Sequence, residues 1–127
     1  ATEVDFIEIS RWGDIDRARP HGGVTYWPDD GKSVAPESHV VSEFDIPLGY
    51  LTLTTVAVWE ADYLQVATTT ADGTVLSEVT ATKRIPADTG TQQLHMNLWT
   101  TQANAPAYHS AQPDQVTFHS FEFIPSA

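Results

Sequence analysis

Short runs rich in Val, Thr, Ile, Phe, Tyr and Trp recur along the chain, with apolar and polar positions alternating and almost no helical period. Eight prolines and seven glycines punctuate them. The pattern predicts strands near residues 3–10, 22–27, 38–45, 50–59, 62–70, 75–83, 92–99 and 115–124. Turns are expected at Trp27-Pro28-Asp29-Asp30-Gly31, Ile46-Pro47-Leu48-Gly49, Ala71-Asp72-Gly73 and Pro86-Ala87-Asp88-Thr89-Gly90. Asp72-Gly73 between two β-rich runs is a hairpin signal. The segment 102–114 reads as a surface loop. There is no repeat, low-complexity tract or domain linker. The elements predict an all-β fold, an antiparallel β-sandwich.

Alternation is clear over residues 92–99. Leu94, Met96 and Leu98 share one face, expected to be core; Gln93, His95, Asn97 and Trp99 share the other. An aromatic ring among hydrogen-bonding groups suits a sugar, whose CH faces stack on an indole while its hydroxyls find donors and acceptors. A Trp covering a core edge among solvated neighbours is the plainer account of the same pattern.

The first strand carries the sharpest chemical signal. Residues 3 to 8 read Glu3-Val4-Asp5-Phe6-Ile7-Glu8. Glu3 and Asp5 keep the period of two that puts charges on one solvated face, and Glu8 breaks it by one residue. A β-bulge at Phe6-Ile7 would return Glu8 to the face of Glu3 and Asp5. Like charges held close raise at least one pKa. A retaining glycosidase needs that state, one carboxylate as nucleophile and one protonated acid, with the two groups ~5 Å apart. The alternative is a solvated strand face in an acidic chain.

Bulk properties narrow the choice. With 127 residues the chain is long enough for one domain with a real core. A net charge of -11, with six Lys and Arg together, leaves no basic stripe for a phosphate backbone, so nucleic acid is not an expected partner. Anionic membranes and highly acidic substrates are disfavoured for the same reason, whereas neutral polysaccharides are not. The absence of cysteine excludes disulfides, zinc ribbons and thiol chemistry. No apolar run approaches the ~18 residues of a transmembrane helix, and no signal peptide is visible. Low charge density with many Thr, Val and aromatic residues suits an extracellular or periplasmic protein. The start at Ala1-Thr2 suggests a processed or trimmed product or a fragment.

The other constellations are weak. His21, His39, His95, His109 and His119 show neither a His-x-His nor a His-x3-His spacing, so no zinc site is expected. Asp14, Asp16, Asp29 and Asp30 hint at calcium, but no twelve-residue ligand loop follows and turn chemistry accounts for them. No Ser lies in a nucleophile elbow, and no Gly-rich phosphate loop exists.

Taken in order, several segments resemble glycoside hydrolase family 16, the laminarinase, lichenase and agarase group. They are the bulged-type motif Glu3 to Glu8, Gly23-Val24-Thr25-Tyr26-Trp27-Pro28, and Glu43-Phe44-Asp45 with the strand ending in Val58-Trp59. Further along are Ile85-Pro86, Gln93-Leu94-His95-Met96-Asn97-Leu98-Trp99 and the closing Val116-Thr117-Phe118-His119-Ser120-Phe121-Glu122-Phe123. The resemblance covers most of the chain, and the hexapeptide is its most specific part. It implies a concanavalin-like jelly roll and a retaining, endo-acting hydrolase of β-glycans, most of all β-1,3-glucan. Glu3 would be the nucleophile, Glu8 the general acid/base, and Asp5 the residue between them that tunes their protonation. Trp99 would be a sugar platform, with Asn97 and His95 beside it and Trp12 on the loop after the motif. Arg11, on that loop, is better explained by a salt bridge. The partner implied is a polysaccharide or oligosaccharide. No cofactor is required, and a structural calcium, common in the family, has no matching ligands to name.

The resemblance departs from the family in length. Such sandwiches often run ~200–250 residues, whereas the motif here begins at residue 3. The expectation is therefore a single β-sandwich over 1–127 or the C-terminal part of one, completed by another chain or a swapped homodimer. Two other classes stay open: a lectin-like sandwich that binds a glycan without cutting it, and an assembly half-domain whose exposed edges pair with another chain.

Overall fold

The computed structural model describes residues 3–10, 20–28, 40–98 and 115–125. Six strands form, in chain order: β1 (Glu3–Ser10), β2 (His21–Trp27), β3 (Val40–Asp45), β4 (Leu53–Glu60), β5 (Tyr63–Thr70) and β6 (Val75–Ala81). They make two three-stranded antiparallel sheets, ordered β1-β2-β3 and β4-β5-β6. The sheets face each other, with β3 against β6 and β1 against β4. The fold is all-β and sandwich-like, and no helix among the described residues is long and apolar enough to cross a membrane.

The alternation that predicts the strands also builds the core. Val24 and Tyr26 of β2 meet Leu64 and Val66 of β5, and Ile85 closes one end. Val4, Phe6, Ala57, Trp59, Val79 and Ala81 pack around them. Phe6 and Trp59 bridge the sheets edge to face, ring centres 6.3 Å apart, an arrangement favoured by the ring quadrupoles. Two aromatic side chains pin the chain after β6 through their polar tips: Tyr26 Oη donates to the Lys83 carbonyl at 2.6 Å, and Trp59 Nε1 donates to the Pro86 carbonyl at 2.8 Å. Ser42 and Ser77 share a hydrogen bond of 3.2 Å between β3 and β6.

The hairpin expected at Asp72-Gly73 joins β5 to β6, with Gly73 at φ 85°. Asp72 Oδ1 accepts from the Thr70 hydroxyl and, at 3.1 Å, from the Thr74 amide. These bonds, led by that from Thr70, favour the carboxylate and hold Asp72 at about 2. A two-residue turn joins β4 to β5, with Asp62 at φ 55°, a conformation Asp tolerates better than most side chains. At Ile46-Pro47-Leu48-Gly49 the chain bends over residues 48–50, so β4 begins at Leu53 rather than at residue 50. The turn at 86–90 has Gly90 at φ 69° with its amide bonded to Asp88 Oδ1.

Two predicted strands are not formed. Residues 91–98 and 115–125 carry no strand. The side chains expected to face the core from the first segment are exposed: Leu94 by 47%, Met96 by 41% and Leu98 by 60%. Val116, Phe118, Phe121, Phe123 and Ile124 are exposed as well. Alternation specifies two faces, but a strand also needs a neighbour for its amides and carbonyls. No such ladder reaches either segment among the described residues. The predicted loop at 102–114, most of the turn at 27–31 and the first residues of the 38–45 strand lie outside the described residues.

Candidate functional site

A β-bulge sits where the hexapeptide predicts it. In the β1–β2 ladder Asp5 opposes Thr25 and Glu8 opposes Gly23, so Phe6 and Ile7 share the single position across from Val24. Without the extra residue Glu8 would have the parity of Val4 and Phe6 and point into the core. With it, Glu3, Asp5 and Glu8 all line one cleft, of about 430 Å³, on the outer face of the first sheet. Gly23, Thr25 and Trp27 of β2 and Ser42 and Glu43 of β3 complete its lining. The volume lies within the ~300–1,000 Å³ usual for small-molecule sites.

The two glutamates differ in what perturbs them. Glu8 is raised above its ordinary value chiefly by burial, then by the charges of Asp5 and Glu3, against a lowering hydrogen bond from Thr25. Glu3 is raised chiefly by the charge of Asp5, then by burial and by a side-chain hydrogen bond with Asp5; the nearby His95 pulls it down. Asp5 thus lies between two carboxyls that both resist ionisation beside it. The Thr25 hydroxyl reaches two of the three, with Oγ1 2.8 Å from Asp5 Oδ2 and 3.3 Å from Glu8 Oε2.

The floor of the cleft is shaped by β2. Gly22 and Gly23 point to opposite faces. A Cβ on Gly22 would lie 2.4 Å from the Phe44 ring, so this glycine lets Phe44 pack on the strand from the core side. A Cβ on Gly23 would meet only the Ser42 carbonyl oxygen, at 3.6 Å. Gly23 therefore leaves open the floor between Glu8 and Glu43, its two neighbours in register. Trp27 opposes Glu3 at the other end of the cleft, its side chain 41% exposed. Near the far end of β2, His21 Nε2 contacts Asp45 Oδ1 at 3.2 Å.

Of the predicted site residues, Glu3, Asp5 and Glu8 come together. His95 comes near enough to Glu3 for its charge to act there, but on an extended segment rather than a strand face. Asn97 does not line the cleft. Trp12 and Trp99 lie outside the described residues, as do Arg11 and the aspartates weighed for calcium. Among the described residues no group of three or more His, Asp or Glu is arranged to hold a metal ion. Thr25, Trp27 and Gly23 were not singled out from sequence as site residues. Their signal is the second period of the 22–27 strand, whose Gly23-Thr25-Trp27 face is neither core nor charged.

These features define an all-β sandwich with a carboxylate-lined cleft on the outer face of one sheet. No protein-family model, curated protein or solved structure matches the chain.

Proposed function

We propose that the cleft hydrolyses β-glycans with retention of configuration, Glu3 acting as nucleophile and Glu8 as acid/base, on a jelly-roll scaffold of the glycoside hydrolase family 16 type. The observation that carries this reading is the bulge between Asp5 and Glu8, which brings three carboxylates into one cleft. A strand face meant only for solvent has no need of an interruption that turns a third carboxylate outward.

The electrostatics support the division of roles. Burial is the first cause of Glu8's raised pKa and acts whatever the state of its neighbours, so Glu8 is suited to hold a proton for the leaving oxygen. Glu3 is raised first by Asp5's charge, with burial second, and is assigned the ionised role. Glu3 is then free to attack the anomeric carbon as its leaving oxygen takes the proton of Glu8. Glu8, now a base, activates the water that releases the glycosyl-enzyme. The acidic cleft suits a neutral glycan, β-1,3-glucan above others, and a secreted protein would meet such polymers outside the cell.

A glycan-binding sandwich without hydrolysis is the second reading, and Trp27 favours it. An indole at the cleft edge supplies a stacking surface that requires no catalysis. Reducing-end release from laminarin, lichenan and agarose separates the two, with Glu3→Gln and Glu8→Gln alongside. The hydrolase reading expects release by the wild type and a loss of several orders of magnitude in both variants. Release undiminished in either variant would sink it. Binding by all three proteins with no release by any would establish the second reading.

A further inference from the structure

We propose that Thr25 is a positioning residue for the acid/base: its one hydroxyl proton rests on Asp5 while Glu8 is protonated and turns to Glu8 when that carboxyl gives its proton away. The proposal rests on the reading of Glu8 as the acid/base. It starts from a count. A threonine hydroxyl has one proton to donate, yet Thr25 Oγ1 lies within hydrogen-bond reach of two carboxyls, Asp5 at 2.8 Å and Glu8 at 3.3 Å. Shared between the two, that proton serves each less well than a bond given to either alone. The shorter contact goes to Asp5, and the longer one is held in reserve for a charge that develops on Glu8.

The surroundings leave this task to Thr25. The titratable groups lining the cleft beside Glu8 are Asp5 and Glu3 on its own strand and Glu43 on β3, all acidic. None of them stabilises a negative Glu8. On β2, Gly23 opposite Glu8 has no side chain, and His21 is engaged with Asp45. Among the described lining residues, Thr25 is the one shown hydrogen-bonding to Glu8. Burial favours the protonated form of Glu8, and a donor that arrives only with ionisation keeps that proton transferable. A rotation about one bond supplies it without moving either strand. The hydrogen bond from Thr25 acts in the lowering direction on Glu8, consistent with this role.

The test uses Thr25→Val, Thr25→Ala and Thr25→Ser in the full chain. Val keeps the shape and β-propensity and loses the hydroxyl. Ala loses the methyl too, so a shift shared by both cannot come from the added methyl contact. Ser keeps the hydroxyl. Two readouts are needed: NMR titration of the Glu8 side-chain carboxyl carbon, and the pH profile of kcat/KM on laminarin. The expected result is that Val and Ala move the Glu8 titration and the basic limb of the profile to higher pH, while Ser leaves both near the wild type. An unmoved Glu8 titration in Val and Ala overturns the proposal, and so does a rate loss equal at every pH. The NMR arm decides even if the wild type releases no sugar, and that outcome counts against the hydrolase reading alone.

Discussion

Two adjacent glycines on β2 offer a sharp check on the geometry of the cleft. Gly22 and Gly23 each become alanine in separate variants. Neither has a positive φ, so alanine meets no backbone strain at either position. Both gain the same intrinsic advantage of Ala over Gly inside a strand, about 0.5–1 kcal/mol, and this gain cancels when the two are compared. What remains is the space each Cβ finds. At position 22 it meets three Phe44 ring atoms at 2.4, 2.6 and 2.9 Å, so the ring must swing or the strands must part. Either response gives up packed apolar surface, and overpacking of this kind costs roughly 1–3 kcal/mol. At position 23 the nearest atom, the Ser42 carbonyl oxygen, is 3.6 Å away, an ordinary contact. Gly23→Ala should therefore be as stable as the wild type or slightly more so. Gly22→Ala should lie below Gly23→Ala by roughly 1–3 kcal/mol, a urea-midpoint difference of about 1 M. Urea unfolding followed by tryptophan fluorescence measures both. Equal stabilities, or the reverse order, would refute the assignment of faces on β2. Thr25 and Trp27 would then lose their place beside the carboxylates, because they share the parity of Gly23.

Three further outcomes follow from the same structure. Glu8→Gln should be more stable than the wild type at neutral pH and about equal near pH 4. Glu8's folded pKa is raised above 4.5, so the native state holds the extra proton in the window from 4.5 up to the folded value. The stability tied to that proton is present below the window and lost as pH rises through it. Thermal melts across pH should show the gap opening upward, and a gap that opens on acidification would contradict the burial of Glu8. Trp27→Ala should weaken oligosaccharide binding by about tenfold, near 1.4 kcal/mol, with the melting temperature little changed; calorimetric titration with laminari-oligosaccharides reads this directly. Tyr26→Phe removes the hydroxyl that donates to the Lys83 carbonyl and should cost about 1 kcal/mol, a few degrees in Tm, without altering the cleft.

Six of the predicted strands form because each has a partner close in sequence or at a short crossing, and their apolar period meets an opposing sheet. Residues 92–99 and 115–124 have an equally good pattern and form no strand among the described residues. The difference lies in the neighbour, not in the pattern. Leu94-Met96-Leu98 alternates as well as Leu64-Val66-Thr68, but only the second has ladders on both sides. Periodicity reports which side chains share a face; it carries no information on whether another strand arrives to satisfy the backbone.

The site divides the same way. The carboxylate face was legible because the break in period is local: Val4 and Phe6 mark the core parity, and Glu8 can leave it only through an extra residue. The partners of those carboxylates depend on cross-strand register, which the bulge itself resets. Up to Asp5 the paired residue numbers sum to 30, as for Glu3 with Trp27, and from Glu8 onward they sum to 31. That one-residue step sets Gly23 of the cleft face, rather than Gly22 of the core face, opposite Glu8, and leaves the Thr25 hydroxyl reaching across to both Asp5 and Glu8. The same insertion therefore turns the third carboxylate outward and leaves the floor open beside it. The bulge thus sets the third carboxylate beside the open floor at Gly23 and within reach of the Thr25 hydroxyl, the arrangement on which the proposed chemistry rests.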